Sequence, residues 1–191
     1  MVCDASFGQW WRVHSAGRGA WWFSSSDDPA RPEVQIGRFD LRLPFGTCYL
    51  GAYLAGAASE SLRESGVDAP AAQRAANARC LSQMPLDRWY GERIADFTAP
   101  EIDSQGAPTD IAALARSDAR PWAEAAHDAG FSGILYRLRE DPAHRLGLAL
   151  FHHAGEHAPP NLVAPVGLVV GLRHELQDLF EGEFRGDPLP R

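Results

Sequence analysis

The stretch GRFDLRLPFGTCYLGAYLAGAASE, residues 37–60, joins a loop, an apolar segment and a run of small residues. The segment TCYLGA (47–52) begins with residues that favour β-structure. Apolar residues then recur at helical spacing from Leu54 to Leu62. The stretch therefore predicts a strand followed at once by a helix over about 53–65.

Three of the polar side chains in this stretch could bind a ligand, and a polar group is costly to bury unless something binds it. Arg38 follows a loop glycine, which lets a ligand approach the backbone. Tyr49 lies in the strand, where its ring could stack on a planar ligand. Glu60 lies on the helix, where a carboxylate could bind ribose hydroxyls or stabilise an oxocarbenium ion. The structural alternatives are an Arg38–Asp40 ion pair, a core tyrosine and a solvated helix position.

The segment WWRVHS (10–15) predicts a first strand, and a loop rich in Gly, Ser, Asp and Pro follows over 17–37. Arg12 lies in this strand beside two tryptophans. Its guanidinium could hold a phosphate or a carboxylate in a two-pronged contact. The alternative is an arginine that stacks on tryptophan at the surface.

The remainder of the chain alternates between strand and helix patterns, which indicates an α/β or α+β protein. Strands are predicted at 91–99, 132–139, 146–153 and 166–172. Helices are predicted at about 70–83, at 108–118, at 120–130 and at 173–182.

Two further groups of residues could carry chemistry. Ser117 lies at the junction of the two short helices, where it either caps a helix or directs its hydroxyl into a site. His152, His153 and His157 are close in sequence, but neighbouring strand residues face opposite sides, which argues against a zinc site. The sequence contains no dinucleotide, P-loop or serine-hydrolase motif.

The bulk properties are those of an ordinary globular protein. The chain has 191 residues, which suggests one domain. Its net charge of −7 argues against sequence-independent binding to nucleic acid. Three cysteines without a CxxC pair do not form a disulfide framework. The N-terminus shows no signal-peptide pattern and no apolar run is long enough to cross a membrane, so we expect a cytoplasmic protein.

Three segments together resemble the RES-domain family: WRVHS (11–15), the stretch quoted first, and AAHDAGFSGILYRLREDP (125–142). The resemblance covers about residues 10–155. It implies one α+β domain over 1–191, with a C-terminal strand and helix over 160–185. The implied fold has central mixed or antiparallel sheets flanked by helices, as in diphtheria-toxin-like ADP-ribosyltransferases.

The resemblance also implies a function. Characterised RES proteins are bacterial toxins that consume NAD+ by glycohydrolysis, by phosphorolysis, or by transferring ADP-ribose to a target. Their usual partner is an Xre-like antitoxin that covers the NAD+ site. NAD+ is thus the expected substrate, and no metal is expected. The alternatives are a non-catalytic module that binds NAD+ or ADP-ribose, and an unrelated metal hydrolase that uses the histidine cluster.

The family's functional residues can be placed on this sequence. The match assigns five residues: Arg12 as the family arginine, Arg38 in the GRF/GRW loop, Tyr49 in the YL pair, Glu60 as the family glutamate and Ser117 as the family serine. Two positions depart from the pattern, since Val13 replaces a second aromatic and Leu138 stands where some relatives have serine. The resemblance therefore predicts that two arginines and one glutamate converge around one dinucleotide.

Overall fold

A seven-stranded mixed sheet is the centre of the fold in the computed structural model, which describes residues 9–31, 36–63, 78–86, 92–108, 110–139, 141, 143–157 and 166–167. The strands are β1 (Trp10–Ser15), β2 (Trp22–Phe23), β3 (Phe45–Gly51), β4 (Arg79–Met84), β5 (Ile94–Asp96), β6 (Gly133–Arg137), β7 (Leu146–His153), β8 (Gly155–Glu156) and β9 (Val166–Gly167). Their order in the sheet is β5-β6-β7-β3-β1-β4-β9, and β2 pairs with β8 in a separate ribbon.

The helices of the described residues are α1 (Leu54–Arg63), α2 (Arg116–Asp128) and a 3-10 helix over Pro100–Gln105. Strands β5 and β6 are parallel, whereas β3 pairs antiparallel with both β1 and β7. This arrangement confirms the predicted α+β class with a mixed sheet. None of these helices is long and apolar enough to span a bilayer.

The central strand β3 separates two cores, because successive residues of a strand face opposite sides of the sheet. Cys48 and Leu50 belong to the core that contains Trp21 and Phe23, and we call this side the back face. Tyr49 packs against the core that contains Phe39 and alanines of α2, and we call this side the front face.

Small residues bring α1 close to the front face. Gly51 lies two residues after Tyr49 and therefore shares its side of the sheet. A Cβ atom added at Gly51 would lie 2.9 Å from the Cβ of Ala57. Ala58 in the same helix is completely buried. The alanine-rich composition of this helix is therefore a packing requirement, since larger side chains would push α1 off the sheet.

Several predicted elements are confirmed. Strands β1 and β7 have the predicted bounds, Trp10–Ser15 and Leu146–His153. The predicted helix after β3 is α1, and the strand predicted at 132–139 is β6. The strand predicted at 91–99 is present but is reduced to β5.

The helix predicted at 70–83 is wrong at its described end. Those residues belong to strand β4, which pairs with β1 from Trp10↔Met84 to Ser15↔Arg79. This pairing satisfies the backbone of β1 along its whole length, and it overrides the local helical pattern. Residues 64–77, which include the rest of that prediction, lie outside the described residues.

The helix predicted at 120–130 is confirmed as α2, which begins earlier, at Arg116, and continues through Pro121. The helix predicted at 108–118 is wrong, since residues 110–114 form turns that lead into α2. The Ala115 carbonyl accepts bonds from the amides of Asp118 and Ala119, so the helix is established before the proline. The closing helix predicted at 173–182 lies outside the described residues.

Replacement of Gly46 by alanine should destabilise the fold, because the backbone of the β2 segment crosses this glycine. The new Cβ would lie 2.8 Å from the carbonyl carbon and oxygen of Phe23. We expect Gly46→Ala to lower the free energy of unfolding by about 1–3 kcal/mol in urea denaturation. Gly17→Ala is the matched control, since its Cβ would find Ser15 Oγ at 4.0 Å. Equal stabilities of the two variants would contradict this packing.

Candidate active site

The loop that contains Arg38 is held on the front face by two side chains of β3. Thr47 Oγ1 donates to the carbonyl of Phe39 at 2.7 Å and accepts from the amide of Leu41 at 3.3 Å. The hydroxyl of Tyr49 accepts from the amide of Phe39 at 2.8 Å. Because Thr47 and Tyr49 are two residues apart on one strand, they bind the loop from the same side.

A buried carboxylate completes this anchor. Asp40 is fully buried, and it accepts from the Tyr49 hydroxyl at 2.9 Å and from the Gly37 amide at 2.7 Å. Arg31 forms an ion pair with it at 2.6 Å. In the described contacts Asp40 thus pairs with Arg31, not with Arg38 as the structural alternative supposed.

This network fixes the chemistry that Tyr49 can perform. Burial raises the pKa of Asp40, while Arg31 and the hydrogen-bond donors act in the opposite direction. Burial and the nearby Asp40 carboxylate raise the pKa of Tyr49 well above its usual value. Tyr49 therefore stays protonated, and its hydroxyl donates to Asp40. Its side chain is half-buried, and the ring is the part that is left to contact a ligand.

Arg38 connects the loop to the segment before α2. Its side chain is buried, and its Nη1 donates to the carbonyl of Leu114 at 3.0 Å. Ser117 lies three residues later, in the first turn of α2. Its side chain is exposed and its hydroxyl donates to Asp118 at 3.1 Å, and it is Ala115 that occupies the N-cap position. The capping alternative for Ser117 is therefore wrong.

Glu60 lies on the side of α1 that also carries Gly56. The next residue, Ser61, has an Oγ that accepts from Arg79 Nη1 of β4 at 2.7 Å. A Cβ at Gly56 would lie 2.7 Å from Leu138 of the front-face core. Glu60, four residues after Gly56, shares that side of the helix and is half-buried.

Arg12 lies on the back face. Its Nη1 donates to the carbonyl of Ala20 and to Cys48 Sγ, the latter at 2.8 Å, and its Nη2 donates to the carbonyl of Trp22 at 2.7 Å. Burial also raises the pKa of the Cys48 thiol, so it accepts as a neutral group. Arg38 and Tyr49 thus lie on the front face, and α1, which carries Glu60, packs on the same face, whereas Arg12 lies on the back face.

The histidine cluster has aromatic and backbone contacts. The rings of His152 and His157 are 4.3 Å apart, and His157 Nε2 lies 2.8 Å from the carbonyl oxygen of His153. Within the described part of the chain, no group of three or more His, Cys, Asp or Glu side chains could hold a metal ion.

Sequence reasoning missed the residues that support the site. The sequence pattern indicates Asp40 only as a partner of Arg38, and it indicates no role for Arg31 or Thr47. The available signal was an aspartate and a threonine among apolar neighbours, at Asp40 and Thr47. Such residues either remain in solvent or are satisfied internally, and here they are satisfied.

Comparison with known proteins agrees with this architecture. Residues 9–168 match the model of the RES domain, so the chain belongs to the RES-domain family. The fold is similar to a chain in the crystal structure of the M. tuberculosis MbcT–MbcA toxin–antitoxin complex, with a TM-score of 0.62 and 21% identity. That match covers 89% of this chain and 88% of the other. A search of curated proteins found no significant match.

Replacement of Arg12 should destabilise the protein, because two backbone carbonyls would lose a charged donor. We expect Arg12→Gln to reduce the free energy of unfolding by about 2–4 kcal/mol in urea denaturation. Arg137→Gln removes the same charge from an exposed position and should change stability by less than about 0.5 kcal/mol. Wild-type stability of Arg12→Gln would refute the structural role of this guanidinium.

Proposed function

We propose that this chain is a toxin enzyme that consumes NAD+ by cleaving the bond between nicotinamide and ribose. Family membership supports the proposal, since this is the activity that the RES resemblance implies. The observation that carries it is that Arg38, Tyr49 and the helix that bears Glu60 lie on one face of the sheet. The similar solved chain comes from a toxin–antitoxin complex, which supports an antitoxin as partner.

Arg38 is the residue we assign to the negative pyrophosphate. Its guanidinium is oriented by the bond to the Leu114 carbonyl, which limits the rotamer freedom that ligand binding would otherwise restrict. A planar guanidinium also matches the geometry of phosphate oxygens. Arg12 contributes indirectly in this scheme, by holding the back of the sheet through Ala20 and Trp22.

Tyr49 contributes the surface of its ring. Nicotinamide is planar and cationic in NAD+, so it can stack on an electron-rich ring. The Phe39 ring lies nearly parallel to that of Tyr49, with centroids 6.3 Å apart, and Asp40 fixes the hydroxyl end. The ring is therefore held in place before a ligand arrives.

Glu60 supplies the negative charge that the reaction needs. As the C–N bond breaks, positive charge develops on the ribose and a nearby carboxylate stabilises it. Nicotinamide leaves as a neutral molecule, so no strong general acid is required. Ser117 is exposed at the start of α2, and we place it at the entrance, where the attacking acceptor would arrive.

Charge removal at Glu60 provides the central test. We expect Glu60→Gln to reduce NAD+ consumption by about a hundredfold or more, because the volume is kept and only the charge is lost. Chromatography of nicotinamide release from the purified protein measures the rate. Glu101→Gln, an exposed carboxylate of the 3-10 helix, should keep the wild-type rate. Equal rates for the two variants would refute the role of Glu60.

Two substitutions at Tyr49 separate its ring from its hydroxyl. Tyr49→Phe should consume NAD+ within a few-fold of the wild-type rate at a temperature where it is folded, whereas Tyr49→Ala should lose most of its activity. The hydroxyl is already bonded to Asp40, so its loss should mainly lower stability, by about 1–3 kcal/mol. A Tyr49→Phe variant that is folded but inactive would exclude the ring-only role.

A further inference from the structure

A row of charged side chains follows the side of α2 that faces the loop between Arg38 and Phe45. Three contacts align the two segments: Arg38 with the Leu114 carbonyl at 3.0 Å, Arg42 with Glu124 at 3.2 Å, and the Phe45 ring with His127 at 4.3 Å. The loop therefore runs beside the helix, from the residues before its first turn to its last.

The helical repeat places two more arginines in this row. Arg116, Arg120 and Glu124 are spaced by four residues, so they lie on one side of α2. The neighbouring core positions Ala119 and Ala123 are fully buried, whereas Arg116 and Arg120 are half-buried. Arg120 consequently lies between the two contacts that join the helix to the loop at Leu114 and Glu124.

The charge of the row is positive, although the whole chain carries −7. Its carboxylate, Glu124, pairs with Arg42. The nearby Asp40 is buried beneath the loop and pairs with Arg31. In the described part of the chain, Arg120 Nε is buried and has no hydrogen-bond acceptor. A guanidinium nitrogen that is desolvated without an acceptor costs free energy, unless an anion binds it.

We propose that Arg120, flanked by Arg116 and next to the Arg38 loop, forms a binding subsite for a phosphate group. The subsite extends the front-face site from the Arg38 loop along α2. Two ligands carry a phosphate group that fits this subsite: the dinucleotide and free inorganic phosphate. The assignment to the dinucleotide rests on the proposed function, whereas phosphate binding itself does not.

Titration calorimetry with ADP-ribose and, separately, with inorganic phosphate tests this subsite without any turnover. Arg120→Gln should weaken binding of the phosphate-bearing ligand by about tenfold or more, since charge-assisted bonds to the guanidinium are lost. Glu124→Gln should tighten it several-fold, because it removes the negative charge of the row. Arg137→Gln, which is exposed at the end of β6 on the other side of the sheet, should leave it unchanged.

The effect of Arg120→Gln on the binding of each ligand identifies which ligand supplies the phosphate group. Weakening by Arg120→Gln for ADP-ribose alone assigns the subsite to the dinucleotide, and weakening for inorganic phosphate assigns it to the free anion. If Arg120→Gln and Arg137→Gln bind both ligands as the wild type does, the subsite does not exist. An anion-binding effect in a protein that consumes no NAD+ would uphold the subsite and refute the proposed function.

Discussion

The buried carboxylate of Asp40 is the interaction on which the front face depends. It receives the Arg31 guanidinium, the Gly37 amide and the Tyr49 hydroxyl. Loss of one partner of a buried ion pair typically costs about 3–5 kcal/mol, because the remaining charge is left without compensation. Together with Thr47, this group therefore fixes where the Arg38 loop lies, and it fixes the hydroxyl end of the Tyr49 ring. Stability and site geometry are linked through it.

The two faces of the sheet divide the arginines into two roles. Cys48 and Tyr49 are adjacent in sequence, but one faces Arg12 and the other faces the Arg38 loop. The Arg12 guanidinium donates to two backbone carbonyls and a thiol on the back face. Arg38 lies on the face that also carries α1 and α2. The strand alternation, not the residue type, decides which guanidinium can approach a ligand on the front face.

Much of the fold could be predicted from local patterns. β1 and β7 were found because their apolar runs are bounded by polar segments, and α1 was found from its helical spacing. The strand β4 was not found, since its identity depends on a partner, β1, that is distant in sequence. Local propensity carries no information about such pairing.

The candidate site was also predictable from the sequence only in part. Tyr49 and Glu60 were predicted from the sequence because they match a family pattern within one short stretch, and their functional roles stay predictions. The roles of Asp40 and Arg31 could not, since they depend on burial and on a contact across a loop. The face on which Arg12 lies was also hidden, because alternation gives relative sides and not which side meets the helices.

A crystal structure of the Glu60→Gln variant with bound NAD+ tests the central claim most directly, since the substitution is expected to slow turnover. The dinucleotide should lie on the front face, with nicotinamide against the Tyr49 ring and the pyrophosphate near Arg38. A dinucleotide bound instead on the back face, beside Arg12 and Trp22, would contradict the proposed site.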